Sequence, residues 1–305
     1  MRQFTFILAF ATTLATSAQA APKIVTTIVP LHSLVSSVMD GVATPELLMQ
    51  GQNSEHNASF TPQQIADMAH ADVVFMIGNN LETKLGEISG TETVGGKNFV
   101  KMNEIKGLTT HPIREGGTWE PDGDEPPSTG VSADPHMWLD PENAKLMVKT
   151  IAASLEKADP ANAERYGANA TKTLAGLDSL ETELKTQLAP IAHKPFIVFH
   201  DAFQYFEKRF GVAAVGSISN FSATPPSAQR LEEIHNKINS SSAACVFREP
   251  QFTDAAVVTA TRVCATRLQS DGNWRGRCER DGAGTMSRGS GGRAFLRSTD
   301  VRQVL

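Results

Sequence analysis

The sequence predicts an α/β protein built as two Rossmann-like lobes joined by a long rigid helix. Three observations lead there. Short β-rich runs alternate with helical stretches from Lys23 to Met102, a second series of the same kind runs from Phe196 to Arg262, and Ala161 to Leu188 between them reads as a long helical run. Strand and helix in alternation imply parallel sheets covered on both faces. A helix of such length is suited to brace two lobes.

In the first series, Ile24 to Val29 reads as a strand and Leu31 to Met39 as a helix with Leu31, Leu34, Val35 and Val38 on one face. Leu47 to Met49 is a short strand. Thr61 stands as N-cap and Pro62 as first residue of a helix reaching Ala69, both at positions their chemistry favours. Asp72 to Ile77 is a buried strand, Leu81 to Ile88 a helix, and Phe99 to Met102 a strand. Pro141 to Glu156 is helical. The second series holds strands at 196–199, 212–215 and 244–247, with helices at 203–210, 227–239 and 253–262.

The 305 residues are 40% hydrophobic and 20% charged, with formal charge −5. This length suffices for two cores. The composition excludes a disordered or fibrous chain, and the acidic balance argues against a nucleic-acid binder. The three cysteines are too few for a disulfide framework. Met1 to Ala20 has Arg2, a short apolar stretch and Ala18-Gln-Ala20, the pattern of an export signal. No cysteine follows it to carry a lipid anchor. A soluble periplasmic protein is expected.

Charge divides the remainder. Residues 21–261 carry 13 Lys and 5 Arg against 29 acidic residues, whereas 262–305 carry 9 Arg, no Lys and 4 acidic residues. The abrupt turn to arginine, with no sustained apolar period, has the character of a shifted reading frame and predicts little stable structure. The expected organisation is a signal peptide at 1–20, an N-terminal α/β lobe at 21–158, a linking helix at 159–189, a C-terminal α/β lobe at 190–261, left incomplete, and a basic tail at 262–305. The first lobe carries a loop at 107–135, rich in proline and carboxylate, whose stretch 112–130 is expected to be mobile and exposed.

Three of the eight histidines fall where ligands gather in open α/β sheets, beyond the carboxyl ends of strands. His56 lies in a polar loop after the strand at Leu47, His136 ends the long loop, and His200 follows the strand at Phe196. Three imidazoles from separate loops suit Zn²⁺. His70, His111, His193 and His235 read as surface residues, and His32 could line a cleft.

The segments Ser54-Glu-His-Asn-Ala-Ser-Phe-Thr-Pro62, Pro135-His-Met-Trp-Leu-Asp-Pro141 and Val198-Phe-His-Asp-Ala-Phe-Gln-Tyr-Phe-Glu207 together resemble the zinc-uptake periplasmic binding proteins of ABC transporters, the ZnuA type within the cluster A-I metal-binding family. Pro226 to Leu231 and Cys245 to Phe252 are similar to two further family blocks, so the resemblance runs from about Lys23 to Thr261. It implies a metal between two lobes, His56, His136 and His200 as ligands, and Glu55 or a water completing the shell. It also implies Zn²⁺ as transported ligand, an ABC membrane permease as partner, a monomeric carrier and no catalysis. Two departures stand out. The loop at 107–135 lacks the histidine-rich run common in zinc-type members, and the family's closing strand, helix and terminal cysteine are not recognisable after Arg262. The disulfide implied for Cys245 is therefore left open.

Alternatives remain at this level. A manganese-binding relative would replace nitrogen ligands by carboxylates. A zinc hydrolase could use three histidines with Glu55 as base, but no HExxH helix and no orienting carboxylate is legible. A surface adhesin is disfavoured by the missing anchor cysteine.

Overall fold

The computed structural model describes residues 21–50, 55–56, 58–91, 94, 99–119, 133–220, 223–249, 252, 254–261, 264–268 and 274–278. The expected signal peptide, the acidic stretch 120–132 and the tail beyond 278 lie outside these residues.

In the first lobe, β1 (Ile24–Thr26), α1 (Val29–Val38), β2 (Glu46–Leu47), α2 (Pro62–Ala69), β3 (Val73–Met76), α3 (Thr83–Ile88) and β4 (Phe99–Lys101) follow in order. The strands form a sheet in the order β2-β1-β3-β4, parallel at every pairing. Side chains alternate between its faces, as strand geometry requires. Ile24, Val73 and Phe75 join the core beneath α1, while Val25, Val74 and Met76 pack on the other face with Met68 and Leu85. The strand expected to reach Val29 stops at Thr26. Pro30 falls in the first turn of α1, where its fixed φ and missing N–H favour a helix start. The reading of Thr61 holds in full: its hydroxyl accepts from Gln64 N, and the Gln64 side chain accepts from Thr61 N.

Two long helices follow, α4 (Pro141–Ala158) and α5 (Ala163–Leu188). The 26 residues of α5 span roughly 39 Å at 1.5 Å per residue. Leu177, Leu180, Leu184 and Leu188 are buried at the spacing of one helical face. The core cluster continues from β1 and β3 through α1, α4 and α5 to Tyr205, Phe210 and Val212. One apolar core therefore crosses from lobe to lobe.

The second lobe contains β5 (Phe196–Val198), α6 (Gln204–Phe210), β6 (Ala214–Ser217), α7 (Ala228–Ser241), β7 (Cys245–Arg248), α8 (Asp254–Thr261), β8 (Cys264–Leu268) and β9 (Trp274–Cys278). The sheet order is β6-β5-β7-β8-β9. Gly211 closes α6 in the left-handed region at φ 68°, the conformation glycine adopts without strain. A separate core of Ile197, Ile218, Ile234, Val246, Val257 and Ala260 lies under α7 and α8.

Two expectations are corrected. The tail was expected to hold little stable structure, yet β8 runs parallel to β7 and β9 returns antiparallel to β8. Pairing at a sheet edge is a main-chain property, so it does not need the apolar period whose absence suggested disorder. Cys264 and Cys278 are Cα partners in this pair, and Cys245 is a free, partly buried thiol. The stretch 112–130 was expected to be mobile and exposed, yet its described residues 112–119, with His111 before them, are tied to the second lobe. His111 N donates to the Tyr205 hydroxyl (3.2 Å), Gln204 donates to Pro112 O (2.9 Å), and Thr118 Oγ1 donates to Val215 O (2.9 Å). The expectation rested on carboxylate and proline content. It missed the polar partners that the second lobe offers to this half of the loop.

Candidate metal centre

The loop after β2 supplies Glu55 and His56. A 3-10 turn at Met137–Leu139 follows His136, and His200 lies just past β5. These four residues, from three separate stretches of the chain, bring one potential ligand atom each to within 4.8 Å of one another. The imidazole centroids are 5.2 Å (His56 and His136), 5.9 Å (His56 and His200) and 5.1 Å (His136 and His200) apart. His56 Nε2 lies 3.2 Å from His136 Nε2. All three histidines are buried, and Glu55 is partly so.

Two of the rings are aimed by carboxylates. His136 Nδ1 donates to Asp134 Oδ1 at 2.7 Å, and His200 Nδ1 donates to the Glu249 carboxylate at 2.7 Å. A carboxylate on Nδ1 fixes the tautomer and turns Nε2 toward the centre, the arrangement that orients metal-bound histidines. Asp134 is itself gripped: its backbone N donates to His111 O (2.8 Å), its carbonyl accepts from the Tyr205 hydroxyl (2.8 Å), and its carboxylate accepts from Gln204 (3.3 Å). The α6 residues of one lobe thus hold the loop that presents a histidine from the other.

Electrostatics leave lone pairs free on His56 and His136 but favour a proton on His200. Burial, with the neighbouring His136 and His200, drives His56 well below the usual imidazole range. Burial and His200 do the same to His136. For His200 burial acts downward, but the facing Glu249 outweighs it and the ring is pushed up to about 9. Burial raises Glu55 against the attraction of His200, and raises Asp134 to about 6 against its hydrogen bonds. His200 Nε2 is buried without a hydrogen-bond partner. Such an orphan costs free energy unless something meets it, and a divalent cation at the centre would meet it.

The remaining histidines go elsewhere. His32 lies 3.1 Å from Pro45 O, His70 2.6 Å from Ala66 O, and His235 3.1 Å from Ala260 O. His111 packs its ring on Tyr205 and His193 is exposed. Sequence reasoning found no orienting carboxylate legible and so missed Asp134 and Glu249. The signal for Asp134 was its place two residues before His136. Glu249 lay within a recognised block but 49 residues from its histidine, where no spacing rule points.

Two parallel-sheet lobes around a buried pocket of three imidazoles and one carboxylate define a cation-receptive two-lobed α/β protein. The chain belongs to the family described as zinc-uptake complex component A, periplasmic, whose profile matches residues 24–271. The high-affinity zinc uptake system protein ZnuA of Brucella abortus (strain 2308) is 40% identical over 264 residues, covering 77% of this chain and 79% of that protein. A crystal structure of ZnuA matches with TM-score 0.66 at 26% identity, covering 79% of this chain and 87% of the other. A zinc-bound ZnuA deletion mutant matches with TM-score 0.65 at 26% identity, covering 79% and 86%.

Proposed function

We infer that this chain is a periplasmic carrier that captures Zn²⁺ through His56, His136, His200 and Glu55 and delivers it to an ABC permease. The orphaned Nε2 of His200, aimed with two other imidazoles into one buried space, carries the reading. Three nitrogens and one oxygen are a donor set that suits tetrahedral Zn²⁺, whereas Mn²⁺ favours oxygen-rich, higher-coordinate sites. A carrier fits better than a hydrolase. A catalytic zinc keeps one position open to water and substrate, whereas here Glu55 offers a carboxylate oxygen as a fourth donor and the imidazoles are buried. The ring-aiming carboxylates are common to both kinds of site and do not separate them. The protein acts as a monomer, and the family's transporter supplies the partner.

The test is a competitive load of the purified protein with Zn²⁺ and Mn²⁺, followed by metal analysis. Zinc should dominate at about one ion per chain. His200→Ala should remove high-affinity binding, while His111→Ala, outside the cluster, should leave it unchanged. Equal effects of the two substitutions would overturn the ligand assignment.

A further inference from the structure

Arg114 lies in the half of the acidic loop that crosses to the second lobe, and it engages all four carboxylate oxygens of two residues there. Its Nε donates to both Asp201 oxygens (2.9 and 3.0 Å), and Nη2 donates to Asp201 as well. Nη1 and Nη2 donate to the two Glu207 oxygens at 2.9 and 3.0 Å. Trp119 lies under the guanidinium, 3.6 Å from Cζ to the ring centroid, and so fixes its plane. Glu207 also accepts from Ala214 N at 3.0 Å. Asp201 is the residue next to His200, and both are buried, at 3% and 2% exposure. A carboxylate so buried cannot stay ionised without a partner except at a cost of several kcal/mol.

We propose that Arg114 is a specificity-setting positioning residue, which holds Asp201, the neighbour of His200, away from the metal so that the donor set stays rich in nitrogen. The inference rests on the zinc-binding reading above. Without the guanidinium, the Asp201 carboxylate loses its fork of donors beside a ligand, and the incoming cation can draw it in. Drawing Asp201 toward the metal adds an oxygen donor and raises the coordination number, a change that favours Mn²⁺ relative to Zn²⁺. Lysine cannot replace the fork, because a point charge cannot bind two carboxylates in bidentate geometry at once.

The experiment compares the full chain with Arg114→Gln, Arg114→Lys and the double variant Arg114→Gln/Asp201→Asn, measuring Zn²⁺ and Mn²⁺ dissociation constants by chelator competition and melting of the metal-free proteins. Arg114→Gln should lower the preference for Zn²⁺ over Mn²⁺ by about tenfold or more, the scale of orienting-group effects at metal sites. Arg114→Lys should lower it in part, and the double variant should regain most of it. If both affinities change by one common factor, or only the melting point drops, the clasp is a structural tie and the proposal fails. A ratio that stays low in the double variant also overturns it, since Asp201 would then not be the donor. Should Arg114→Gln fail to fold, Arg114→Lys, which keeps the charge, decides the matter through the same ratio. An unaltered protein that does not bind Zn²⁺ would refute the function itself, a separate outcome.

Discussion

His200 and Glu249 form a 2.7 Å hydrogen-bonded pair that leaves the opposite ring nitrogen buried and unpartnered. With its pKa pushed from 6.5 to about 9, the metal-free ring is an imidazolium at neutral pH. Zn²⁺ must displace the proton on Nε2 while Nδ1–H stays on Glu249.

Zinc binding at pH 8 should therefore release close to one proton from His200, and affinity should rise by about tenfold per pH unit until about pH 9. Calorimetry in buffers of different ionisation enthalpy reads the proton count. The same shift bears on stability. A folded pKa above the unfolded value adds stability that is complete below pH 6.5 and is lost as pH rises through about 9. The metal-free protein should accordingly melt lower at pH 9 than at pH 7. Glu249→Gln should abolish the proton release at pH 8 and weaken zinc by about 10–100-fold. An unchanged proton count in that variant would show that Glu249 does not set the charge of the ring.

Gly216 makes room for a strap, the stretch 111–119 that packs on the second lobe. A Cβ built there would lie 2.9 Å from both Cβ and Oγ1 of Thr118, an approach no real Cβ contact tolerates. Thr118 is held in place, since its hydroxyl donates to Val215 O (2.9 Å) and its carbonyl accepts from Arg230 Nη2 (2.5 Å). Gly216→Ala should therefore destabilise the protein by about 1–3 kcal/mol, the usual cost of overpacking. Denaturant unfolding measures it. A neutral result would mean the strap can lift from β6 without penalty.

Strand and helix positions in the first 261 residues were legible because hydrophobic period and capping chemistry agree locally. Thr61 with Gln64, and the buried 3–4 spacing on α5, are examples. The three clustered histidines were legible because each sits beside a strand end or a distinctive motif. What was not legible depends on contacts across the fold. Glu249 meets His200, and Arg114 meets Asp201 and Glu207, only because β7 and α6 bring them there. Arg114 read as one cation in an acidic loop. The strands β8 and β9 were hidden for a different reason: the edge of β7 templates them through the backbone, with no hydrophobic period to announce them.

Asp140 joins two jobs at the lobe contact. Its carboxylate caps α4 by accepting from Glu142 N (3.0 Å), and it takes a bidentate pair from Arg209 of α6 (2.7 Å each). Arg209 is a quarter exposed, so solvent and Glu181 can compensate it when Asp140 is removed. Asp140→Ala should thus cost about 1–2 kcal/mol, chiefly the lost cap. Asp140→Asn, which keeps a capping oxygen, should recover most of that loss in the same unfolding experiment. If Asn performs no better than Ala, the ion pair with Arg209 is the larger contribution.

Removal of the chain after Arg262 would strip β8 and β9 from the second sheet. That leaves β7 as an edge, with the main-chain groups around Phe247 and Arg248, now in register with Thr266 and Arg267, without a strand partner. Val246, Val257 and Ala260, with 4%, 1% and 0% exposure in the full chain, belong to a core whose members all precede the cut. The truncated protein should therefore fold and keep its zinc site, because His200 and Glu249 both precede the cut. It should nevertheless melt below the full chain, by about 2–4 °C for each kcal/mol of pairing lost, and aggregate more readily through the opened edge. Thermal unfolding and light scattering of the two mature chains side by side provide the check. Coincident melting curves would mean that the arginine-rich tail adds no strand to the sheet in solution.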